Sequence, residues 1–496
     1  MGLVCIFLVY GKMKILFLNP SKWGRGITPI WIASHSAVLR SRGYKIKLFD
    51  CTFYREWMVD ETEYNTHNLQ YKPSEYAKII KLKEGNVVKE LQKAIDSFEP
   101  NMIFVSAFSS HLHGEGEYVN IQYAHELMKQ ISTEALKVAG GIQPTAIPNE
   151  MPKRFPSIDY FIQGESEFVL AELAENLGSN GKLEKMCGLI FNEKQDLIKN
   201  MDMIPPYDYS VFEDQIFFRP YNGRVERAVD YEISRGCMYS CSYCVESIIQ
   251  SYYGFIKAKS GVITRAKEYL RNKSAKRVFE EISTLNRHYN INLFRCQDAN
   301  FLTVNKDVLN ELADMLDNSN LDIMLYIETR PEGINPKSVR LLKRLKIDGV
   351  GMGVEVSEEG FRMESLNRFA SQEKILNAFR LLEEAGIKRT AYNIIGLPCQ
   401  TEEMILDTIN FNRRLRPDNV TVAFYSPYIG TREQIKSKEM GCFDDYEYNV
   451  DGQLRTVSKS TLVSKELLNF YKKYFIRMVR EGTEKSIEFK KMEGLS

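Results

Sequence analysis

The stretch YEISRGCMYSCSYC, Tyr231–Cys244, places Cys237, Cys241 and Cys244 within eight residues, directly after a run that reads as a β-strand. Thiolates are soft donors suited to zinc or to iron–sulfur clusters. A structural zinc site normally takes four ligands, and no fourth follows nearby: the next cysteine is Cys296 and the only downstream histidine is His288. Three thiolates on one loop can instead hold three corners of a cubane and leave the fourth iron open to a chelating ligand. A loop at the carboxyl end of a strand is also where parallel α/β folds place their working residues. The triad therefore directs the reading of the chain on either side of it.

Downstream, apolar runs near Asp230–Ser234, Leu293–Gln297, Ile323–Ile327, Gly349–Glu355, Thr390–Ile395 and Val420–Tyr425 alternate with amphipathic stretches. The latter are Ser274–Tyr289, Lys306–Asp317, Pro336–Leu345, Ser371–Ala385 and Thr401–Leu415. Six such βα units predict a partial TIM-like (β/α)6 barrel rather than a closed one. Upstream the alternation is similar: strands at Lys14–Asn19, Tyr44–Asp50, Met102–Ala107, Leu136–Gly140 and Tyr160–Gln163, helices at Ile30–Arg42, Val87–Phe98, Tyr118–Ile131 and Glu165–Leu177. Apolar runs separated by helices predict an open, doubly wound α/β sheet of Rossmann or flavodoxin type, which binds ligands beyond its strand C-termini. Thr52–Lys83 interrupts this pattern and reads as an inserted lid or a surface loop. Gly188–Asn200 reads as a hairpin and Ile204–Phe212 as a linker. The predicted divisions are 13–187, 188–225 for hairpin and linker, 226–430, and a helical extension over 431–496.

At 496 residues the chain is long enough for two large domains and an appendage. Its formal charge of +1 offers no global field for nucleic acid or an anionic membrane. No apolar run approaches the roughly 18–20 residues of a membrane span. The nine cysteines are odd in number and clustered, which fits a metal site in a reducing cytoplasm better than a disulfide framework. Leu3–Tyr10 lacks the basic flank and cleavage site of a signal peptide. Residues 1–12 are expected to be a translation-start artefact or a short extra strand ahead of MKILFLNP.

Cys-x3-Cys-x-aromatic-Cys, with Tyr243 in the aromatic slot, resembles the signature of the radical S-adenosylmethionine (SAM) superfamily. GVEVSEEGFRMESLNR is similar to that family's fourth-strand segment, AYNIIGLPCQTEE to its fifth, and FYSPYIGT, with Pro427 and Gly430, to its sixth. The resemblance implies a 4Fe–4S cluster on the three cysteines, whose open iron chelates SAM and delivers the electron that releases a 5′-deoxyadenosyl radical. It implies SAM contacts by Tyr243, Asp298, Glu355, Gly396 and Pro398. Cys399 stands where the family usually has a second glycine, so the turn there is expected to differ slightly. Glu355 also reads as a solvated strand-end acid and Asp298 as a turn former. Arg330 in ETRPE reads first as a structural ion pair, and alternatively as a partner for a SAM or substrate carboxylate.

The first half resembles the cobalamin-binding radical SAM class in KILFLNPS, KVAGGIQPTAIPNE, IDYFIQGESEFVLAEL and GLIFNE. That resemblance implies cobalamin contacts by Asn19, Pro20, Gly140, Gly141, Gln143, Pro144 and Thr145, the two glycines permitting a close backbone approach to a large flat ligand. No Asp-x-His-x-x-Gly motif is present, so a histidine below cobalt is not indicated; His111 and His113 lie in the loop after the third strand. The implied activity is methyl transfer to a small molecule from SAM through cobalamin, with an external electron donor such as flavodoxin or ferredoxin. The alternatives are a deoxygenase, cyclase or ring-rearranging enzyme of the same architecture, and a non-catalytic cobalamin or iron–sulfur sensor. A methylthiotransferase is disfavoured, because Cys5, Cys51 and Cys187 are scattered and the tail is mixed in charge.

Overall fold

A computed structural model of the chain describes residues 13–59, 62–107, 114–178, 186–257, 261–425, 428–442, 450–451, 454–455 and 462–495. The expectations for residues 1–12, His111, His113 and Pro427 lie outside the described residues.

The first sheet comprises β1 (Lys14–Asn19), β2 (Lys45–Asp50), β3 (Met102–Ala107), β4 (Leu136–Gly141) and β5 (Tyr160–Ile162). All four pairings are parallel, in the flavodoxin-like order β2-β1-β3-β4-β5. Alternation along β1 sends its side chains to two separate cores, as a sheet buried on both faces requires. Ile15 and Phe17 join Trp31 and Leu170 on one face. Leu16 and Leu18 join Leu91, Ile95 and Ile121 on the other. The strand order reverses between β1 and β3, so the crevice of this sheet opens above their carboxyl ends.

The second sheet has seven strands. In chain order these are β6 (Phe218–Tyr221), β7 (Arg224–Tyr231), β10 (Leu293–Cys296), β11 (Met324–Thr329), β12 (Ile347–Glu355), β13 (Lys388–Ile395) and β14 (Asn419–Phe424). Between β7 and β10, the short β8 (Ser234–Arg235) and β9 (Arg271–Asn272) form a separate antiparallel pair. The order β14-β13-β12-β11-β10-β7-β6 is parallel except for β6, which pairs antiparallel with β7. Six parallel strands agree with the expected count; β6 was hidden in the supposed linker, since FRPY carries little apolar signal. Ser274, Asn305, Asn335, Ser371 and Thr401 each cap the following outer helix by accepting a backbone N–H of its first turn.

The hairpin expected at Gly188–Asn200 does not form. Leu189 makes one isolated bridge to Ile162 of β5, and Phe191 turns the chain away with φ +70°. The residues that follow then run along the junction and bond to both sides of it. Lys194 donates to the Tyr252 carbonyl at 3.0 Å, and the Ile198 N–H donates to Glu165 at 3.2 Å.

The insertion after β2 spans the barrel's open side. Gln70 accepts the Val422 N–H of edge strand β14 at 3.2 Å, while the turn between β6 and β7 comes close to Lys72 and Pro73 at Gly223. Further along, the Tyr76 hydroxyl accepts the Gly26 N–H at 2.6 Å. The segment thus touches both edges of the incomplete barrel. Helices Arg432–Glu439, Lys465–Glu481 and Ser486–Met492 complete the tail, the second packing Leu468, Tyr471 and Phe475 against Ile395 and Phe424. Among the described residues no helix is long and apolar enough to cross a membrane.

Candidate active site

Strand β7 ends at Tyr231, and its carboxyl end leads through β8 into the cysteine loop. Gly236 adopts φ +95°, and a Cβ there would meet the Tyr269 carbonyl at 2.6 Å, so only glycine fits. The loop is then clamped along its backbone. Glu246 accepts the Cys237 N–H at 3.0 Å and the Tyr269 hydroxyl at 2.7 Å on the same oxygen. Gln250 donates to the carbonyls of Cys237 and Tyr239, both at 2.8 Å. Asn367 and Arg432 donate to the Ser240 carbonyl at 2.7 and 2.5 Å.

Cys237 and Cys241 are buried and Cys244 half-buried. Burial pushes the Cys237 thiol up to about 12, with Glu246 and Cys241 adding to the shift. Cys244 is raised well above its ordinary value by burial, then by Cys241 and Glu246. Cys237 and Cys244 thus keep their protons unless a cationic centre replaces them, which is the donor chemistry of an iron–sulfur cluster. Among the described residues no three His, Cys, Asp or Glu side chains converge as on a single metal ion. A cubane asks for no such convergence, because each thiolate takes a different iron.

Tyr243, Glu355 and Arg368 meet beside this loop. The Tyr243 hydroxyl donates to Glu355 Oε1 at 2.9 Å, and Arg368 lies 3.2 Å from that oxygen and 3.1 Å from the hydroxyl. Glu355 ends β12 with φ +61°, and its 6% exposure rules out the solvated strand-end acid. Arg330 pairs with Glu332, stacks on Tyr239 at 3.8 Å and brings Nη1 to 3.6 Å from Cys241 Sγ. Sequence reasoning singled out neither Arg368 nor Glu246. Arg368 lies within the quoted GFRMESLNR stretch, and Glu246 two residues past the triad; those placements were the available signal.

Asp298 is fully buried and accepts from the N–H groups of Ile233 and Ser234 at 3.2 and 2.6 Å. It anchors the strap leading into the cysteines, and burial raises its carboxyl to about 6. Gly396 adopts φ +81° and donates its N–H to Gln400 at 2.7 Å; Pro398 is buried next to it. Cys399 takes φ +64°, the left-handed conformation a glycine would favour.

At the carboxyl edge of the first sheet, Asn19 donates to Asp50 Oδ1 at 3.0 Å. Asn19 Oδ1 and Asp50 Oδ2 are buried acceptors without a hydrogen-bond partner among the described residues; they suit the amide N–H groups on a corrin rim. The Pro20 carbonyl accepts Trp57 Nε1 at 3.1 Å. The space at Gly140 is taken by the protein itself: a Cβ would lie 3.0 Å from Ser166 Oγ and 3.4 Å from Phe104. Gly141 needs its glycine for φ 112°, ψ −156°. Gln143, Pro144 and Thr145 are buried. Thr145 braces the turn by donating to the Gly141 carbonyl at 2.7 Å and accepting the Gly164 N–H at 2.8 Å.

The carboxyl edge of this sheet meets the barrel through buried ion pairs. Glu165 accepts Arg271 Nη1 on both oxygens at 2.8 Å, and Glu167 accepts Arg235 Nη2 at 2.6 Å. Arg235 also pairs with Glu232 at 2.7 Å. A cavity at this junction is lined by Trp31, Ile142, Glu165, Arg235, Glu246 and Tyr269 among others.

Residues 231–411 match the radical SAM superfamily model. An uncharacterized methyltransferase of Pyrococcus horikoshii is 25% identical over 362 residues, covering 71% of this chain and 72% of its own. An anaerobic magnesium-protoporphyrin IX monomethyl ester cyclase of Rubrivivax gelatinosus is 22% identical over 459 residues, covering 88% and 72%. In structure, the radical SAM methyltransferase TsrM of Kitasatospora setae, solved with cobalamin and a [4Fe–4S] cluster bound, superposes with a TM-score of 0.62 at 15% identity, over 94% of this chain and 82% of that one. Residues 231–411 thus carry a radical SAM domain, which implies a 4Fe–4S cluster and SAM, and the chain shares the fold of TsrM, a solved cobalamin-bound radical SAM methyltransferase.

Proposed function

We propose that this enzyme is a cobalamin-dependent radical SAM methylase acting on a small molecule, with residues 13–187 as the cobalamin domain, 188–225 as the connection, 226–430 as the catalytic core and 431–496 as its extension. The observation that carries the reading is the junction itself: the segment after β5, at the carboxyl edge of the first sheet, is ion-paired to β8 and β9, the strand pair that leads into the cysteine loop. The bound groups would supply a 5′-deoxyadenosyl radical and a transferable methyl group. The protein's own residues bind, orient and exclude water. Cys237, Cys241 and Cys244 would hold the cluster. Tyr243 and Glu355, fixed by Arg368, would hold the SAM nucleoside, and Gly396 and Pro398 would shape the turn beside it. Asp298 would act at one remove, through Ile233 and Ser234. Asn19, Pro20 and the Gly140–Thr145 turn would border the corrin, and an external flavodoxin or ferredoxin would supply electrons.

Anaerobic reconstitution with iron, sulfide and hydroxocobalamin tests this. The reduced protein is expected to give a cluster EPR signal that a Cys237/Cys241/Cys244→Ala variant lacks, to retain cobalamin, and to form both 5′-deoxyadenosine and S-adenosylhomocysteine. Loss of cobalamin on gel filtration would overturn the methylase. A cyclase or related rearrangement is the second reading, favoured by the cyclase relative's coverage of 88% of this chain. It is expected to give 5′-deoxyadenosine without S-adenosylhomocysteine.

A further inference from the structure

Inside the barrel, Arg295 of β10 and Gln297, the residue just past its end, lie two residues apart and so roughly 7 Å along the extended chain. Arg295 lies against the Tyr326 ring at 5.1 Å. Its Nε is buried without an acceptor, and among the described residues its guanidinium makes no hydrogen bond and no ion pair. Asp230, whose charge acts on Arg295, has its hydrogen bonds directed elsewhere: it accepts Arg219 at 2.7 and 2.8 Å and the Thr28 N–H at 3.0 Å. Gln297, 4% exposed, donates to Asp230 at 2.6 Å and leaves its Oε1 with no partner.

Across from them, Glu328 accepts the Tyr392 hydroxyl at 2.8 Å, and Tyr392 in turn contacts the Tyr326 hydroxyl at 2.8 Å. The two tyrosine side chains pack closely against Gly349 and Gly351 of β12. A Cβ at Gly351 would meet the Tyr392 ring at 2.6 Å and the Tyr326 hydroxyl at 2.8 Å. Asp230 and Glu328 lie within the electrostatic reach of Arg295 but neither hydrogen-bonds to it; a buried guanidinium without a hydrogen-bonded acceptor, beside a buried acceptor lacking a donor, is costly to maintain and marks a place a ligand completes. Arg295 thus offers the lumen a single unfilled charge-assisted contact, which suits a carboxylate. Burial holds Glu328 up to about 7, so it adds little opposing charge below neutrality.

We propose that the barrel lumen recognises a small carboxylate whose neighbouring carbon bears a hydroxyl or amine, Arg295 binding the carboxylate while Gln297 and Glu328 accept the donor. This names the substrate class of the proposed active site and rests on that reading only for what is then done to the ligand.

Glycolate is the probe, with glycolamide as its uncharged counterpart and acetate as the analogue lacking the hydroxyl. In deuterated protein labelled with 15N-arginine, the Arg295 Nε–H resonance is identified by its loss in Arg295→Lys or Arg295→Met. Glycolate at constant ionic strength is expected to shift that resonance saturably, about tenfold more tightly than glycolamide, the worth of one charge-assisted contact. Gln297→Leu is expected to remove the preference for glycolate over acetate. No saturable shift with glycolate, or an equal response to glycolamide, overturns the proposal. SAM cleavage by the same preparation is scored separately: its failure would fell the radical SAM methylase and leave the anion titration standing.

Discussion

Arg330 sets a guanidinium 3.6 Å from the Cys241 sulfur. A positive donor at a thiolate favours the more negative, reduced state of a cluster bound there. Arg330→Met is therefore expected to lower the cluster midpoint by about 40 mV, taking about 1 kcal/mol for the lost contact and 59 mV per tenfold. An EPR-monitored redox titration reads it, and an unchanged midpoint would confine Arg330 to its pair with Glu332. Cys399 offers a second test. A left-handed non-glycine residue costs about 1–2 kcal/mol, while glycine loses about 0.4–1 kcal/mol through the unfolded chain. Cys399→Gly is thus expected to stabilise by up to about 1 kcal/mol in denaturant unfolding. The departure from a glycine was visible in the sequence. Its consequence was not, since a backbone angle is fixed by the turn on both sides and not by the residue type alone.

The loop between β5 and the helix Glu167–Gly178 acts as a latch on the barrel. Glu165→Ala would strand Arg271 in a buried site, and removing one partner of a buried pair costs about 3–5 kcal/mol; thermal unfolding of the variant should show that loss. Burial alone would push the Glu167 carboxyl up, but Arg235 overcomes it and holds it at about 2, below its ordinary 4.5. A carboxyl depressed on folding contributes stability above its unfolded value, and the contribution is lost as pH falls from 4.5 towards 2. The stability gap between the native protein and Glu167→Gln is expected to narrow through that window; a constant gap would mean that the pair does not titrate with folding. Strands such as β1 and β11 were legible from apolar runs, and Lys306–Asp317 from its period. The latch was not, because Glu165 and Arg271 lie 106 residues apart and nothing local in either segment names its partner. Gly140 shows what a sequence leaves out: the missing Cβ is visible in it, but the packing of Ser166 at 3.0 Å against that position is not.

At the scale of the molecule, the insertion after β2 closes a barrel that its own strands leave open. Replacing residues 62–79 with a flexible linker should leave the cysteine loop bound by its own clamps yet admit water to the lumen. The expected outcome is cluster EPR at native intensity with increased 5′-deoxyadenosine unaccompanied by product; tight coupling in the variant would show that the segment is not a wall. Whether this stretch was ornament or lid could not be read beforehand, since Gln70 meets its partner Val422 only 352 residues later.

One core runs without a break from Ile15, Phe17 and Trp31 of the first sheet, through Tyr207, Tyr209 and Phe217, to Val229, Tyr231 and Leu325 of the barrel. Synthesis proceeds in one direction, so the first sheet leaves the ribosome well before the surface that will cover this face exists. During that interval the face is an adhesive one, open to self-association and to chaperones that retain unfinished chains. Residues 13–187 produced alone are expected to be insoluble, and to be rescued when residues 188–496 are made in the same cell.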